Sequence, residues 1–397
     1  MNETPIANRK HIALFGNTNA GKSALLNAMV GQEVSIVSNI HGTTTDPVSK
    51  VMELIPYGPV VFIDTAGLND TSELGKERIR TSRKIFQRTD FAIYVIDASN
   101  PNHESYELMM QDFAKWNIPF ITVVNKIDLV SEAIIEELRA KFRAAIFVSS
   151  QTGENVLELK DLLIERLRAS EEVETYIGDL LPYGSTVIMV IPIDSEAPKG
   201  RIILTQVQLI RDCLDHGIKS YVVRDTELES ALKDLGKVDL VVTDSQAFKF
   251  VNSVVPKEIK LTSFSILFAR VKGDMDVFIE GLKKIDELVD GSKVLVSESC
   301  THNHSHEDIG RIKIPRLLNQ YTGKKIEYDF RMGHDFPDEI EGYDLIIHCG
   351  SCMLNKKVMT SRISLCKDNN VDITNYGVIL AYLNGILERS VEIIYNK

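Results

Sequence analysis

The sequence lacks any apolar run that approaches the ~20 residues needed to cross a lipid bilayer. Its first residues, MNETPIANRKHI, also lack the apolar core of a secretory signal peptide. It contains neither a short-period repeat nor a low-complexity tract. These absences predict a cytoplasmic protein with no membrane partner.

Positive charge is scarce. The chain has 45 Lys and Arg residues against 56 Asp and Glu residues, which gives a formal net charge of −11 at pH 7. Proteins that bind nucleic acids or anionic membranes generally present a basic surface, so this balance argues against both classes of partner.

Cysteine is also rare, with five residues in all. A reducing cytoplasm does not favour a disulfide framework. Cys213 lies in an amphipathic helical pattern and Cys366 in ISLCKDN, and we expect both to be packing residues. The other three, Cys300, Cys349 and Cys352, lie beside histidines.

The 397 residues are enough for two or three domains. Up to about residue 170, apolar runs typical of buried strands alternate with helical patterns; the runs are HIALF, VVFID, FAIYVID, FITVVNK and AAIFVSS. This alternation predicts an α/β fold with a parallel sheet and helices on both faces, followed by two smaller β/α modules. The expected boundaries are 1–170 for the first domain, 171–185 for a linker, 186–270 for the second domain and 271–397 for the third.

The segment after the first strand reads GNTNAGKS and fits the phosphate-binding pattern G-x-x-x-x-G-K-[ST]. The loop turns its N–H groups towards phosphate oxygens, and the following helix adds the positive end of its dipole. We expect Lys22 to reach the β- and γ-phosphates and Ser23 to place its hydroxyl on Mg²⁺. The nucleotide-binding residues predicted here are Gly16, Asn17, Asn19, Ala20, Gly21, Lys22, Ser23 and Ala24.

Two further motifs follow strands in the order that a nucleotide-binding domain requires. Asp64 ends VVFID, where a carboxylate holds the magnesium shell, and Gly67 offers its N–H to a γ-phosphate. The second motif is Asn125-Lys126-Ile127-Asp128, in which a carboxylate accepting from guanine N1–H and N2–H₂ explains the aspartate. Adenine has no such donor pair, so the predicted ligands are GTP and GDP. Ser149 and Ser150 complete the predicted base pocket.

These motifs match the translation-factor-like GTPases, and GNTNAGKSALLNAMVG, HGTTTD and DTAGLNDTSELGKERI resemble the TrmE–Era–Der branch. The resemblance implies a P-loop GTPase domain in which Thr44 is a magnesium ligand, with Thr43 as the alternative. Leu68 stands where Ras-like enzymes carry a water-orienting glutamine, so hydrolysis is slow or another group assists it. In the resembling family that group is K⁺, held by an asparagine that matches Asn19.

The second half of the chain carries a cysteine and histidine constellation. Cys300-Thr301-His302 follows the strand KVLVSES, and His348-Cys349-Gly350-Ser351-Cys352 follows YDLII. Carboxyl ends of strands are where open α/β sheets gather ligands, and thiolates select zinc or an iron–sulfur cluster. A structural zinc site, a redox-active dithiol and a 4Fe–4S cluster all fit these residues, and the chemistry alone leaves zinc and iron open.

The pattern Cys-x-His, 45 further residues and then His-Cys-x-x-Cys resembles the HydF family, the maturation GTPases of iron–iron hydrogenase. The resemblance implies that Cys300, Cys349 and Cys352 hold a 4Fe–4S cluster, with His302 and His348 near its fourth iron or near a di-iron precursor. It also implies two radical-SAM maturases and apo-hydrogenase as partners, and a homodimer or larger oligomer formed through the middle module. The identity of the fourth ligand stays open; the other candidates are Glu298, His304 and Glu307, while His306 reads as part of a solvated helix start.

We therefore expect a GTP-hydrolysing scaffold or carrier that holds or delivers a di-iron precursor. Nucleotide state would bias partner binding or cargo release through the loops around Thr44 and Gly67. The alternative is a TrmE- or Der-like GTPase of RNA or ribosome maturation with a zinc module, which the net charge of −11 disfavours. A third hypothesis is a redox-sensing GTPase in which Cys349 and Cys352 cycle as a dithiol.

Overall fold

The computed structural model describes residues 6–31, 38–40, 48–65, 83–171, 174–193, 200, 202–299, 308–333 and 335–395. The chain divides into two compact units, Met1–Glu172 and Val173–Lys397.

The first unit is built on a seven-stranded sheet. Its strands are β1 Lys10–Phe15, β2 Ser38–Ile40, β3 Val48–Leu54, β4 Gly58–Asp64, β5 Phe91–Asp97, β6 Phe120–Asn125 and β7 Ile146–Phe147. The order across the sheet is β2-β3-β4-β1-β5-β6-β7. Five neighbouring strands in this order are parallel: β4, β1, β5, β6 and β7. They confirm the predicted parallel sheet.

The antiparallel strands β2 and β3 at one edge were not predicted. The sequence of β3, VSKVMEL, interrupts its apolar residues with Lys50 and Glu53, so it lacks the continuous apolar run that marked the buried strands.

Helices cover both faces of this sheet, as predicted. They are α1 Lys22–Val30, α2 His103–Lys115, α3 Glu132–Lys141 and α4 Val156–Ala169, with 3₁₀ turns at Ile6–Asn8 and Ile127–Leu129 and helical residues at 83–88. On β1, Ile12 and Leu14 pack in one core with α1 and α4, whereas Ala13 and Phe15 pack in the other core with α2 and α3. The alternation follows from the two-residue period of a strand.

The second unit contains two four-stranded parallel sheets. The first has β8 Thr186–Val190, β9 Lys219–Val223, β10 Leu240–Thr243 and β11 Lys260–Ser263 in the order β11-β10-β8-β9. The second has β12 Lys293–Glu298, β13 Glu327–Met332, β14 Leu345–His348 and β15 Asp372–Asn375 in the order β13-β12-β14-β15. These sheets confirm the two predicted β/α modules.

The helices of this unit are α5 Leu204–Asp215, α6 Leu228–Asp234, α7 Phe248–Val254, α8 Phe264–Lys272, α9 Met275–Glu280, α10 Ile314–Thr322, α11 Lys356–Asp368, α12 Tyr376–Leu383 and α13 Leu387–Tyr395. Shorter turns are Asp225–Glu227, Gly281–Glu287 and Ile309–Lys313. In the described ranges, every helix falls short of the length and apolarity that crossing a bilayer needs.

One apolar core joins the two modules of the second unit. Val241 of the first sheet and Ile346 of the second belong to the same buried cluster. The last helix, α13, returns to the first module, where the Thr262 hydroxyl donates to the Ser390 carbonyl at 2.7 Å. The two modules therefore pack as one body.

The segment expected to be a linker, 171–185, packs against the second unit from Tyr176 onward. Tyr176 and Ile177 are 7% and 0% exposed. The Asp212 carboxylate, on α5, accepts hydrogen bonds from the N–H groups of Tyr176, Ile177 and Gly178 at 3.1, 2.8 and 3.0 Å. The acidic and glycine-rich composition suggested a linker, but one buried carboxylate on a later helix fixes this backbone.

Replacing Asp212 with alanine is expected to lower the free energy of unfolding of the second unit by about 3 kcal/mol, because it leaves buried N–H donors without an acceptor. Urea denaturation followed by circular dichroism measures the loss. The matched control is Asp215→Ala on the same helix, whose exposed carboxylate pairs with Arg211 and should change stability by about 0.5 kcal/mol or less. Equal losses in the two variants would contradict the anchoring role.

Candidate nucleotide site and candidate metal centre

The phosphate loop connects β1, in the middle of the sheet, to α1. Gly16 has φ +137°, and a Cβ there would lie 2.2 Å from the Val95 carbonyl oxygen. Gly21 has φ +89°, and a Cβ there would lie 2.4 Å from the Asn125 side-chain nitrogen. Both positions therefore require glycine, and the loop packs closely on β5 and β6.

Lys22 is folded back into the loop. Its ammonium donates to the carbonyl oxygens of Gly16 and Asn17 at 2.9 and 2.8 Å, and the residue is 4% exposed. Burial lowers the Lys22 pKa, and the charge of Asp64 opposes that shift. A cation held at this place can bind the phosphates, as the motif predicts.

Ser23 and Asp64, the two predicted members of the magnesium shell in the described residues, lie together. The Ser23 hydroxyl donates to an Asp64 carboxylate oxygen at 2.6 Å. Next to Asp64, the Thr65 hydroxyl donates to the Leu14 carbonyl and ties the end of β4 to β1. The pairing brings a hydroxyl and a carboxylate oxygen to one point, which suits a hard cation such as Mg²⁺.

The predicted base pocket lies at the ends of β6 and β7. The Asn125 amide donates to the Ala20 carbonyl at 3.1 Å, and its oxygen accepts from the N–H and hydroxyl of Ser150 at 3.0 and 2.8 Å. The Ser149 hydroxyl donates to the Asp128 carboxylate at 2.5 Å. Asn125 thus joins the phosphate loop to the base pocket, while Asp128 is exposed and accessible to a ligand.

Asp97 is a residue of this site that the sequence interpretation missed. It ends β5 and pairs with Lys126 at 2.6 Å. Although burial opposes ionisation, hydrogen bonds from Lys126 and Ser99 lower the Asp97 pKa. Lys126 has the left-handed φ of 65°, and the ion pair fixes its side chain. The signal in the sequence was the aspartate at the end of FAIYVID.

Replacing Asp128 with asparagine is expected to weaken GDP binding about 10- to 150-fold, because it removes charge-assisted hydrogen bonds worth about 1.5–3 kcal/mol. The amide can instead donate to the 2-oxygen of xanthine, so the variant should bind XDP more tightly than the wild type does. Equilibrium binding of fluorescent GDP and XDP measures both changes. Asp161→Asn, on the exposed face of α4, is the matched control and should bind GDP as the wild type does. Unchanged GDP affinity in the Asp128 variant would contradict the guanine assignment.

Several predicted nucleotide residues cannot be placed in the same way. Thr43, Thr44 and Gly67 lie outside the described residues. Asn19 is exposed and has a left-handed φ of 62°. Its role as a K⁺ ligand stays a prediction.

The cysteine loops begin side by side in the second unit. Strands β12 and β14 are parallel neighbours, with Ser297 opposite His348. The Ser299 N–H donates to the Cys349 sulfur at 2.9 Å, and the Cys349 thiol donates to the Ser299 hydroxyl at 3.0 Å. Cys300 lies outside the described residues, but the preceding residue contacts the sulfur of Cys349.

Cys349 and Cys352 belong to the turn after β14. Cys349 is 9% exposed, and Ser351, between the two thiols, has a left-handed φ of 55°. Burial raises the pKa of Cys349, and the nearby Cys352 raises it further. In the ranges that the structure describes, no three candidate metal ligands form a group; the predicted third sulfur, Cys300, and the predicted His302 lie outside those ranges, as do His304, His306 and Glu307.

His348 is fully buried and both of its ring nitrogens have partners. Nδ1 donates to the Cys349 carbonyl at 2.8 Å, and Nε2 accepts from Arg362 at 2.6 Å. Burial, with the charge of Arg362, lowers the His348 pKa to about 3, so the ring is neutral. A ligand role for His348 stays a prediction, and it requires the ring to give up one of these two hydrogen bonds.

Glu298, another candidate for the fourth cluster ligand, is the last residue of β12. Its carboxylate accepts from the Tyr376 hydroxyl at 3.2 Å and lies 3.7 Å from Arg311. Burial and the nearby Asp308 raise its pKa. Cys213 and Cys366 are both 0% exposed and belong to apolar clusters, as expected of packing residues.

Comparisons with known protein families divide the chain into three matched segments. Residues 11–126 match the domain family described as 50S ribosome-binding GTPase. Residues 176–273 match the hydrogen maturase F dimerization domain, and residues 275–393 match the hydrogen maturase F tetramerization domain. The first unit is therefore a GTPase domain, and the second carries the two domains of hydrogen maturase F.

Curated relatives resemble the GTPase part. The tRNA modification GTPase MnmE of Coxiella burnetii (strain Dugway 5J108-111) is 35% identical over 150 residues, which are 37% of this chain and 33% of the relative. The GTPase Der of Wolinella succinogenes is 34% identical over 165 residues, 39% of this chain and 35% of the relative. The chain thus spans about a third of the length of these relatives. Among solved structures, the G domain of the T. maritima FeoB iron transporter is 27% identical with a TM-score of 0.30, and covers 40% of this chain and 98% of that one.

Proposed function

We propose, because the chain belongs to the hydrogen maturase F family, that it is a GTP-hydrolysing scaffold or carrier for hydrogenase maturation. It binds a 4Fe–4S cluster and holds or delivers a di-iron precursor to apo iron–iron hydrogenase. Its further partners are two radical-SAM maturases that build the precursor, and it acts in the cytoplasm. The matched C-terminal domains favour this function over a TrmE- or Der-like role in RNA or ribosome maturation.

The observation that carries the proposal is the contact of Ser299 with the Cys349 sulfur at 2.9 Å. Consecutive Cα atoms are about 3.8 Å apart, so the backbone of Cys300 starts within one residue of that sulfur. Thiolates are the donors that an iron–sulfur cluster takes, so the chemistry of the site fits the group. Cys300, Cys349 and Cys352 would hold it.

A cluster held by these three thiolates would supply one iron without a cysteine ligand, open to an exchangeable ligand. Two residues at the end of β12, Ser299 and Glu298, lie near the predicted cluster ligands. The Ser299 N–H donates to the Cys349 sulfur, and this bond lowers the pKa of Cys349 against the larger effect of burial. Glu298 precedes Ser299 and is the last residue of β12. Its carboxylate contacts Tyr376 and Arg311.

In the GTPase domain, water attacks the γ-phosphorus of GTP, and the bond to the bridging oxygen breaks to give GDP and phosphate. Lys22 offsets the charge on the phosphates, while Ser23, Thr44 and Asp64 serve Mg²⁺ and Gly67 senses the γ-phosphate. Because Leu68 cannot orient the water, hydrolysis is slow and K⁺ held by Asn19 stimulates it. GTP hydrolysis rates that are equal in K⁺ and Na⁺ would contradict the K⁺ site.

The protein assembles as a homodimer or larger oligomer. The names of the two matched C-terminal domains support assembly. Strand β9 is an edge strand that exposes Tyr221 and Val222 by 41% and 47%. Exposed apolar edge strands are favourable surfaces for pairing with another chain.

The test is maturation of apo-hydrogenase in a defined anaerobic mixture with the two radical-SAM maturases, GTP, iron and sulfide. We expect hydrogen evolution only when this protein is present, and faster activation with GTP than with GDP. Activation that is equal without the protein would contradict the carrier function. A colourless protein that keeps zinc after anaerobic iron loading would favour the alternative function.

A further inference from the structure

A buried lysine lies beneath the turn that holds Cys349 and Cys352. Lys272, the last residue of α8, is 2% exposed. Its ammonium donates to the carbonyl oxygens of Ser351 and Leu354 at 3.2 and 2.9 Å. Ser351 lies between the two cysteines, so Lys272 binds the cysteine loop itself.

In the described ranges the Lys272 ammonium makes no ion pair, although the charge of Glu174 acts on it from beyond ion-pair distance and opposes the lowering of its pKa by burial. Glu174 itself pairs with Lys356 at 3.8 Å. Two carbonyl dipoles occupy two of the three N–H donors but carry no net charge. A buried cation without a counter-ion is costly, so such groups are normally paired.

A second buried cation contacts His348, the residue just before the same turn. Arg362 is 2% exposed and donates to His348, to the Ser297 hydroxyl at 3.3 Å and to the Gly333 carbonyl at 2.8 Å. These partners are neutral, since His348 accepts through Nε2. The cysteine loop is thus bounded by two cations whose hydrogen-bond partners are uncharged.

The two parts of this arrangement come from different matched domains. Lys272 belongs to the segment that matches the dimerization domain, 176–273, whereas the cysteines belong to the segment 275–393. The shared core of the second unit holds them together. The middle domain therefore contributes a residue to the candidate metal centre.

We propose that Lys272 is a positioning residue that supplies the buried positive charge offsetting a thiolate-bound iron–sulfur cluster on Cys349 and Cys352. The inference rests on the proposed function, since it needs a cluster at these cysteines. Thiolates and sulfides give the bound cluster negative charge, and a nearby fixed cation favours its reduced, more negative form. The competing account is that Lys272 only clamps the loop through its two hydrogen bonds.

Lys272→Gln separates the two accounts, because an amide can still donate to both carbonyls but carries no charge. Lys272→Arg keeps the charge, and Lys367→Gln, at an exposed lysine of α11, is the matched control. Each full-length protein is loaded anaerobically with iron and sulfide. Iron content, thermal unfolding and an EPR-monitored redox titration are then measured.

We expect Lys272→Gln to keep the cluster but to shift its reduced-to-oxidised ratio about tenfold towards the oxidised form at a given potential, equivalent to about 59 mV for a one-electron couple. Lys272→Arg and Lys367→Gln should titrate as the wild type does. A wild-type potential in Lys272→Gln would overturn the proposal, and so would an equal shift in Lys272→Gln and Lys272→Arg.

The iron content of the two Lys272 variants tests the proposal as well. If Lys272→Gln loses iron and Lys272→Arg retains it, the charge is required and the proposal stands. Loss in both variants would overturn it and assign Lys272 a structural role. A wild-type protein that takes up no cluster would instead contradict the proposed function.

Discussion

Replacing Lys22 with alanine is expected to lower kcat/KM for GTP about 100- to 1,000-fold, as removal of one preorganised charge-stabilising group does in other enzymes. The ammonium is held by the Gly16 and Asn17 carbonyls and is 4% exposed. No other described lysine projects into this loop through such bonds. Phosphate release under saturating and limiting GTP separates the loss of binding from the loss of turnover.

The matched control for this variant is Lys115→Ala, which removes an exposed lysine from the last turn of α2. It should hydrolyse GTP at the wild-type rate. Both variants should unfold at similar temperatures, because the loop glycines, not Lys22, set the backbone of the phosphate loop. A Lys22→Ala protein that hydrolyses GTP within a few-fold of the wild type would contradict the assigned role.

Replacing Cys349 with serine is expected to remove nearly all cluster iron from the anaerobically loaded protein. A hydroxyl is a harder donor than a thiolate and does not ionise near neutral pH, so it is a poor ligand for an iron–sulfur cluster. The Ser299 N–H that now donates to sulfur would meet the new hydroxyl, and the loop could keep its fold. Iron and acid-labile sulfide per chain measure the loss.

Cys366→Ser is the matched control, because it makes the same change at a cysteine of the same domain that is 0% exposed. We expect it to keep the wild-type iron content, although burying a hydroxyl among apolar side chains costs some stability. GTP hydrolysis should be intact in both variants. Full iron content in Cys349→Ser would show that the ligand set is wrong.

The sequence predicts a strand correctly where its residues form a nearly continuous apolar run, as buried strands of a parallel sheet do. FITVVNK and FAIYVID are mostly apolar runs, and they form the interior strands β6 and β5 as expected. The glycines of the phosphate loop also have the positive φ values that the motif requires. Strand β3 was missed because its polar residues break the apolar run, and its pairing with β4 depends on residues outside it.

The parts that could not be predicted depend on contacts between residues far apart in the chain. Nothing near Asp212 indicates that it fixes residues 176–178, 34 to 36 positions earlier. Lys272 and Arg362 lie in helices of ordinary composition, and only the packing of the second unit buries them beside Cys349. The same packing engages His348 with Arg362, where the sequence suggested a residue facing the metal.

The measurement that tests the account most directly is metal analysis with EPR of the reduced, anaerobically loaded full-length protein. We predict iron and sulfide in the amounts of one 4Fe–4S cluster per chain, with a cluster signal that Cys349→Ser abolishes and Cys366→Ser keeps. A protein that stays free of iron after loading, or a signal that is unchanged in Cys349→Ser, would contradict the account.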